Sequence, residues 1–118
     1  MDKPHKKLNV WKQSIALVTV LYELTKSFPK DEWYGLVNQI RRAAVSIPAN
    51  IAEGAARQTK KEFIQFLCIA RGSISEIDTY LEIAQNLGYL DNSVVKDLDR
   101  KMIGVDKMLN GLIKALKN

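Results

Sequence analysis

The side chains able to do chemistry in this sequence are few, and the gaps among them exclude more than their presence offers. It has one histidine, His5, close to the start of the chain, and one cysteine, Cys68. A single imidazole rules out most histidine-based catalysis and histidine-rich metal sites, which need further ligating or orienting groups. Glu53, Glu62, Glu76 and Glu82 are available carboxylates, but di-iron helical bundles use inward Glu-x-x-His pairs and none occurs here. Phosphate loops, nucleophile elbows and cysteine-histidine zinc spacings are missing as well. Cys68 cannot make an internal disulfide, and its place beside an apolar stripe predicts a small packed residue and not a nucleophile. The sequence is therefore expected to use no catalytic residue, metal or cofactor.

Two polar constellations stand out instead. Gln39, Arg42, Ser46, Asn50, Glu53 and Arg57 recur at steps of three and four, and Gln65, Ser73, Glu76 and Tyr80 repeat similar spacing downstream. On helices each set lies along one face. Serine, asparagine and small residues are weak choices for a solvated helix surface. Pairing between helices or subunits, for instance Arg42 with Glu76, is the favoured reading, with a solvated face and direct ligand contact as alternatives. Gly72 beside Ser73 points the same way, because glycine inside a helix is more readily explained by a closely approaching neighbour than by tolerance.

The elements that must carry these residues are helical. Apolar positions alternate in steps of three and four along nearly the whole chain, which excludes a strand-rich fold. A first helix is expected over Asn9–Ser27, ended by Phe28-Pro29 because proline disfavours helical geometry in the residue before it. A second spans about 32–57, and its apolar spacing continues on both sides of Pro48, which favours one long helix kinked there over two broken near residues 46–48. Thr59-Lys60-Lys61-Glu62 reads as a capping box opening a third helix that runs to about Leu87, with Gly88 as its stop. Asn92 or Ser93 caps a fourth. These elements predict an all-α, antiparallel up-down-up-down four-helix bundle forming a single domain over residues 1–118, with a basic tail over residues 1–8.

Charge gives this architecture a direction. The 118 residues carry a net charge of +5, an excess that favours polyanionic partners. If the helices alternate in direction, one pole collects Lys3, Lys6, Lys7, Arg57, Lys60, Lys61, Lys114 and Lys117, and the other holds a more acidic mixture around Asp31, Glu32, Asp91, Asp97 and Asp99. Helix dipoles do not explain Lys60 and Lys61, which occupy a first turn where cations are disfavoured. The basic pole is the candidate contact for phosphate backbone, which lysines neutralise without reading bases. Trp11, Trp33, Tyr34 and Tyr89 are expected in the core or at interfaces more than as stacking platforms for bases. No uncharged stretch is longer than the ten residues of 13–22, far shorter than a bilayer span, and with the lone cysteine this predicts a cytoplasmic protein with no membrane partner.

One stretch carries a family resemblance. Gly35-Leu36 and Gln39-Ile40-Arg41-Arg42-Ala43-Ala44-Val45-Ser46-Ile47-Pro48-Ala49-Asn50-Ile51-Ala52-Glu53-Gly54 resemble the signature of the 23S rRNA intervening-sequence, or S23-type, family. Phe28-Pro29-Lys30 upstream fits it, as do Lys61-Glu62-Phe63, Phe66-Leu67, Ala70-Arg71-Gly72-Ser73 and Glu76 downstream. The resemblance covers roughly residues 8–90, and the fourth helix matches only in character. It implies a bacterial four-helix bundle without established enzymatic activity. It also implies kinship with the accessory protein of diversity-generating retroelements, a basic homopentamer that binds a reverse transcriptase and nucleic acid. The resulting expectation is a non-enzymatic homo-oligomer, a pentamer by this resemblance, that binds RNA, another nucleic acid or a ribonucleoprotein through basic surface. The alternative is a protein-interaction scaffold without nucleic-acid contact. Gln39, Arg42, Ser46, Asn50, Glu53, Ser73 and Glu76 are the candidate assembly stripe.

Overall fold

The computed structural model describes residues 3–118, which form four α-helices and two short 3-10 turns, with no strand among the described residues. α1 spans Asn9–Thr25, α2 Leu36–Ala55, α3 Lys60–Asn86 and α4 Asn92–Lys117. The apolar positions spaced three and four apart form the core: Val10, Leu17 and Leu21 from α1, Ile40, Ile47 and Ile51 from α2, Leu67, Ile77 and Leu81 from α3, and Leu98, Met102 and Leu109 from α4. Burying each large aliphatic side chain contributes about 1.5–3 kcal/mol. In the last turns of α4 the core position is Ile113, while Leu112 and Leu116 stay half-buried. Four residues beyond Leu109 return to the inner face at 3.6 residues per turn.

α2 and α3 share the largest contact, α1 packs on α2 and α4 on α3, and α1 meets α4 along the thinnest seam. The bundle measures 44 × 26 × 19 Å. Cross-helix contacts set its registers. Gly54 lies against Phe63 and Phe66, Ser46 opposite Ser73, and Gln39 opposite Tyr80, so partners step backward along α3 as α2 advances. Arg71 opposite Asp106 and Gln85 opposite Asn92 repeat this order between α3 and α4. Thr25, at the end of α1, meets Arg41 in the second turn of α2.

The helix ends depart from expectation in informative ways. α2 starts at Leu36, because residues 30–32 form a 3-10 turn whose Glu32 carboxylate accepts the Leu36 N–H at 3.2 Å. α2 then runs unbroken through Pro48, whose ring is buried in the core. Thr59 caps α3, its Oγ1 accepting the Glu62 N–H at 3.1 Å. The Glu62 carboxylate accepts the Thr59 hydroxyl at 3.0 Å instead of reaching back to the Thr59 amide, so the capping box is half formed. Gly88 stops α3 at φ +79°, a backbone region that disfavours side chains. The cap of α4 is Asp91, not Asn92 or Ser93: its Oδ1 accepts the Val94 N–H at 3.0 Å and the Ser93 hydroxyl at 2.7 Å. These bonds, the Val94 amide first, hold its carboxyl below the usual aspartate range.

Of the basic tail expected over residues 1–8, residues 1 and 2 lie outside the described residues. Pro4–Lys7 is a 3-10 turn laid against α1 and α2, with His5 edge-on to Trp11 at 5.0 Å. Two packing expectations fail. Cys68 is exposed, because α3 buries Leu67 next to it. A side chain at Gly72 would meet nothing within 4 Å, so no neighbouring helix of this chain approaches there.

Candidate nucleic-acid interface

The registers decide which cations share an end of the bundle. The start of α3 lies beside the end of α2, as the Gly54 contacts with Phe63 and Phe66 show. Carried down from the Arg71–Asp106 pair, the α3–α4 register brings residues 60–63 level with 114–117. The α1–α2 register set at Thr25 and Arg41 brings Asn9 level with Arg57, and the Pro4–Lys7 turn rests on both helices. Lys3, Lys6, Lys7, Arg57, Lys60, Lys61, Lys114 and Lys117 therefore fall toward one end, across a section of 26 × 19 Å, and all eight are exposed.

Seven of these eight make no ion pair among the described residues. Arg57 is the exception: its Nη2 donates to Glu53 Oε1 at 2.9 Å, and its guanidinium lies 4.9 Å from the Phe66 ring centroid. The ring and carboxylate orient Arg57 and offset part of its charge. Glu62, the acid nearest Lys60 and Lys61 in sequence, is turned toward the Thr59 hydroxyl. With a screening length of about 8–10 Å at physiological salt, cations grouped on so small an end reinforce one another's field.

The other end is built differently. Lys26 pairs with Glu23 at 3.0 Å, and Lys101 and Arg100 converge on Asp97 at 2.9 and 3.5 Å. Tyr89 packs on Phe28 and donates its hydroxyl to Glu32 at 2.8 Å, a bond that raises the phenol above its ordinary range. Arg41, to which helical spacing assigns no role, organises this end. Its Nε donates to Thr25 Oγ1 at 3.0 Å and its Nη2 to the Tyr22 carbonyl at 3.2 Å, closing the last turn of α1. Its guanidinium lies between Tyr22 and Trp33, 4.5 and 4.9 Å from their ring centroids. Trp33 is 46% exposed and the adjacent Tyr34 91%. Trp11 and Tyr89 pack against the core as expected; Trp33 and Tyr34 do not.

Most of the candidate assembly stripe is brought together between α2 and α3. Buried Ser73 donates to Ser46 Oγ at 3.0 Å, and Asn50 Nδ2 donates to the same oxygen at 2.9 Å and to the Ser46 carbonyl at 2.8 Å. The Tyr80 hydroxyl stands 3.4 Å from both Gln39 Oε1 and Glu76 Oε2. The anticipated Arg42–Glu76 bridge is not formed among the described residues; both side chains instead line a shallow hollow of about 400 Å³ with Gln39, Ser46 and Ser73. Glu53 points along α2 to Arg57. Among the described residues the ion pair that does cross between helices is Arg71 on α3, gripping Asp106 on α4 at 2.8 and 3.2 Å. That bidentate bond raises the Arg71 pKa. A separation of 35 residues left no local signal for it.

Among the described residues no group of three histidine, cysteine, aspartate or glutamate side chains is placed to hold a metal ion, and no helix is long and apolar enough to cross a membrane.

Comparison with known proteins follows the fold. The family model described as 23S rRNA-intervening sequence protein matches residues 6–111, reaching well into α4. A crystal structure from Bacteroides thetaiotaomicron, of a protein with unknown function from the S23 ribosomal protein family, superposes with a TM-score of 0.79. Identity is 24%, over 89% of this chain and 98% of that one, a likeness of fold. No curated protein matches the chain.

Proposed function

This chain belongs to the 23S rRNA-intervening sequence protein family, and from that premise we propose that it is a non-enzymatic homo-oligomeric bundle that binds RNA or another nucleic acid through its basic end. The observation that carries the reading is the gathering of eight exposed cations at one end, seven of them without an ion-pair partner among the described residues. Surface cations left unpaired keep their full charge for a polyanion. Binding of this kind is salt-dependent and nearly indifferent to sequence, because the contacts go to phosphate. Assembly multiplies it: each subunit of a ring contributes the same basic end, and modest contacts add through effective concentration. The polar hollow between α2 and α3 and the exposed apolar side chains Val45, Ile69 and Ile83 support self-association. Five copies is the number implied by kinship with the retroelement accessory proteins.

The test is a titration of structured RNA with the full chain at several salt concentrations, beside native mass measurement. Binding at 50 mM salt that falls steeply by 200 mM supports the reading; no binding at the lower salt overturns it. A second reading, a protein scaffold without nucleic-acid contact, is favoured by the exposed Trp33 and Tyr34 beside stacked Arg41, residue types common in protein hot spots. A specific protein captured through that corner, insensitive to nuclease, would support it.

A further inference from the structure

A ring of identical subunits joins two different faces of each copy, at matching heights along the ring axis. The hollow between α2 and α3 offers one such face. It presents Arg42, the one arginine of five with neither an ion pair nor a side-chain hydrogen bond among the described residues: Thr25 and Tyr22 hold Arg41, Glu53 holds Arg57, Asp106 holds Arg71 and Asp97 holds Arg100. The next face around the bundle, between α3 and α4, has a hollow of about 510 Å³ lined by Asp78, Asp99, Asp106 and Ile103. Arg71 neutralises Asp106, while Asp78 and Asp99 have no cation within 4.0 Å among the described residues.

The registers bring these charges to one height. With Gln39 opposite Tyr80 and Ser46 opposite Ser73, Arg42 is level with Ile77. With Arg71 opposite Asp106 and Gln85 opposite Asn92, Asp99 is level with Asp78. One residue of offset is about 1.5 Å along a helix. Two copies side by side around an axis parallel to their helices would thus set Arg42 of one against Asp78 and Asp99 of the other without sliding. The angle is suitable too. Adjacent grooves of a four-helix bundle face about 90° apart, an angle that closes a small ring, whereas opposite grooves would propagate an open filament. Val45, 42% exposed one turn beyond Arg42, and Ile103, 46% exposed one turn beyond Asp99, supply apolar contact beside the charges.

We propose that copies of this chain join head to tail, the Arg42 guanidinium of one entering the α3–α4 hollow of the next and donating to Asp78 and Asp99. The proposal rests on the homo-oligomeric reading above and names its two faces. A planar guanidinium with five donors suits two carboxylates on facing helices.

The test is native mass measurement of the full chain across a micromolar dilution series, for the unaltered protein, Arg42→Glu, Asp99→Lys and the two combined, with circular dichroism to verify helix content. Each single reversal should raise the half-assembly concentration at least about tenfold, and the combination should recover part of that loss, because the Arg42 and Asp99 charges are exchanged and not removed while Asp78 stays acidic. If a reversal perturbs folding, Arg42→Gln and Asp99→Asn should weaken assembly in the same direction. A monomeric unaltered protein overturns both the oligomeric reading and this interface. An oligomer indifferent to the single reversals, or not rescued by the combination, overturns the interface alone.

Discussion

Alanine at Gly54 should destabilise the bundle, while alanine at Gly104 should stabilise it. At Gly54 a Cβ would lie 2.8 Å from Phe66 Cβ, 2.9 Å from Phe63 Cδ1 and 3.3 Å from the Phe63 carbonyl oxygen. Phe66 Cβ is fixed to the α3 backbone and cannot turn away, so the two helices must part by several tenths of an ångström where they pack most closely. Overpacking of this kind costs about 1–3 kcal/mol. Little is recovered from helix propensity, because Gly54 is the penultimate residue of α2. A net loss of about 2 kcal/mol follows. Unfolding entropy near 2.1 cal/mol/K per residue makes each kcal/mol worth about 4 °C for a chain of this length, so Tm should fall by about 8 °C. At Gly104, inside α4, a Cβ would meet nothing within 4 Å. The propensity term then stands alone, a gain of about 0.5–1 kcal/mol and about 2–4 °C. Thermal unfolding followed by circular dichroism at one protein concentration measures both. If Gly54→Ala melts at or above the unaltered protein, the close approach of α2 to α3 is not what requires glycine there, and the reasoning fails.

Reversing both Lys60→Glu and Lys61→Glu should weaken RNA binding at least about tenfold at moderate salt and lower the salt slope by about two, with helix content unchanged; an unchanged slope would remove these lysines from the interface. Asp91→Ala should lower Tm at neutral pH. Folding holds the Asp91 carboxyl below its ordinary 3.8, so its stabilisation is complete above that value and lost as pH falls through the lower folded pKa. The gap to the unaltered protein should therefore narrow in acid; a gap independent of pH would show that the carboxylate charge is not what caps α4. A double-mutant cycle on Arg71→Ala and Asp106→Ala, measured on the unassembled chain at high dilution, should give a coupling of no more than about 1 kcal/mol, because there the pair is 40% and 36% exposed and solvent screens it. A coupling well above that would mean that solvent does not screen the pair.

Much of the site was legible as residue types, and far less as partners. The stripe at Gln39, Arg42, Ser46 and Asn50 follows from helical spacing, and Ser46 and Ser73 do meet between helices. Within the chain, no Arg42–Glu76 bridge forms among the described residues, since spacing assigns a face and not a rotamer. Local order marks Arg41 only as a basic position on α2. Only the crossing of α1 past the start of α2 sets it between Tyr22 and Trp33 and under the last carbonyls of α1.

By itself the sequence determined the helical class, the four elements, the inner stripe of each and the family, because all of these are written in local order: periodicity, caps, breakers and a contiguous motif. What lies between helices was decided by tertiary structure. Helix 2 begins four residues late because Glu32, on a preceding turn, caps it at Leu36. Within the chain Gly54 is needed and Gly72 is not, because Phe63 and Phe66 close on one and none of the described residues closes on the other. Arg71 finds Asp106, and Arg42 is left level with Asp78 and Asp99, through registers set by side-chain packing across the whole bundle. Helix spacing says which residues face a neighbour; only the packed register says which residue of that neighbour they meet.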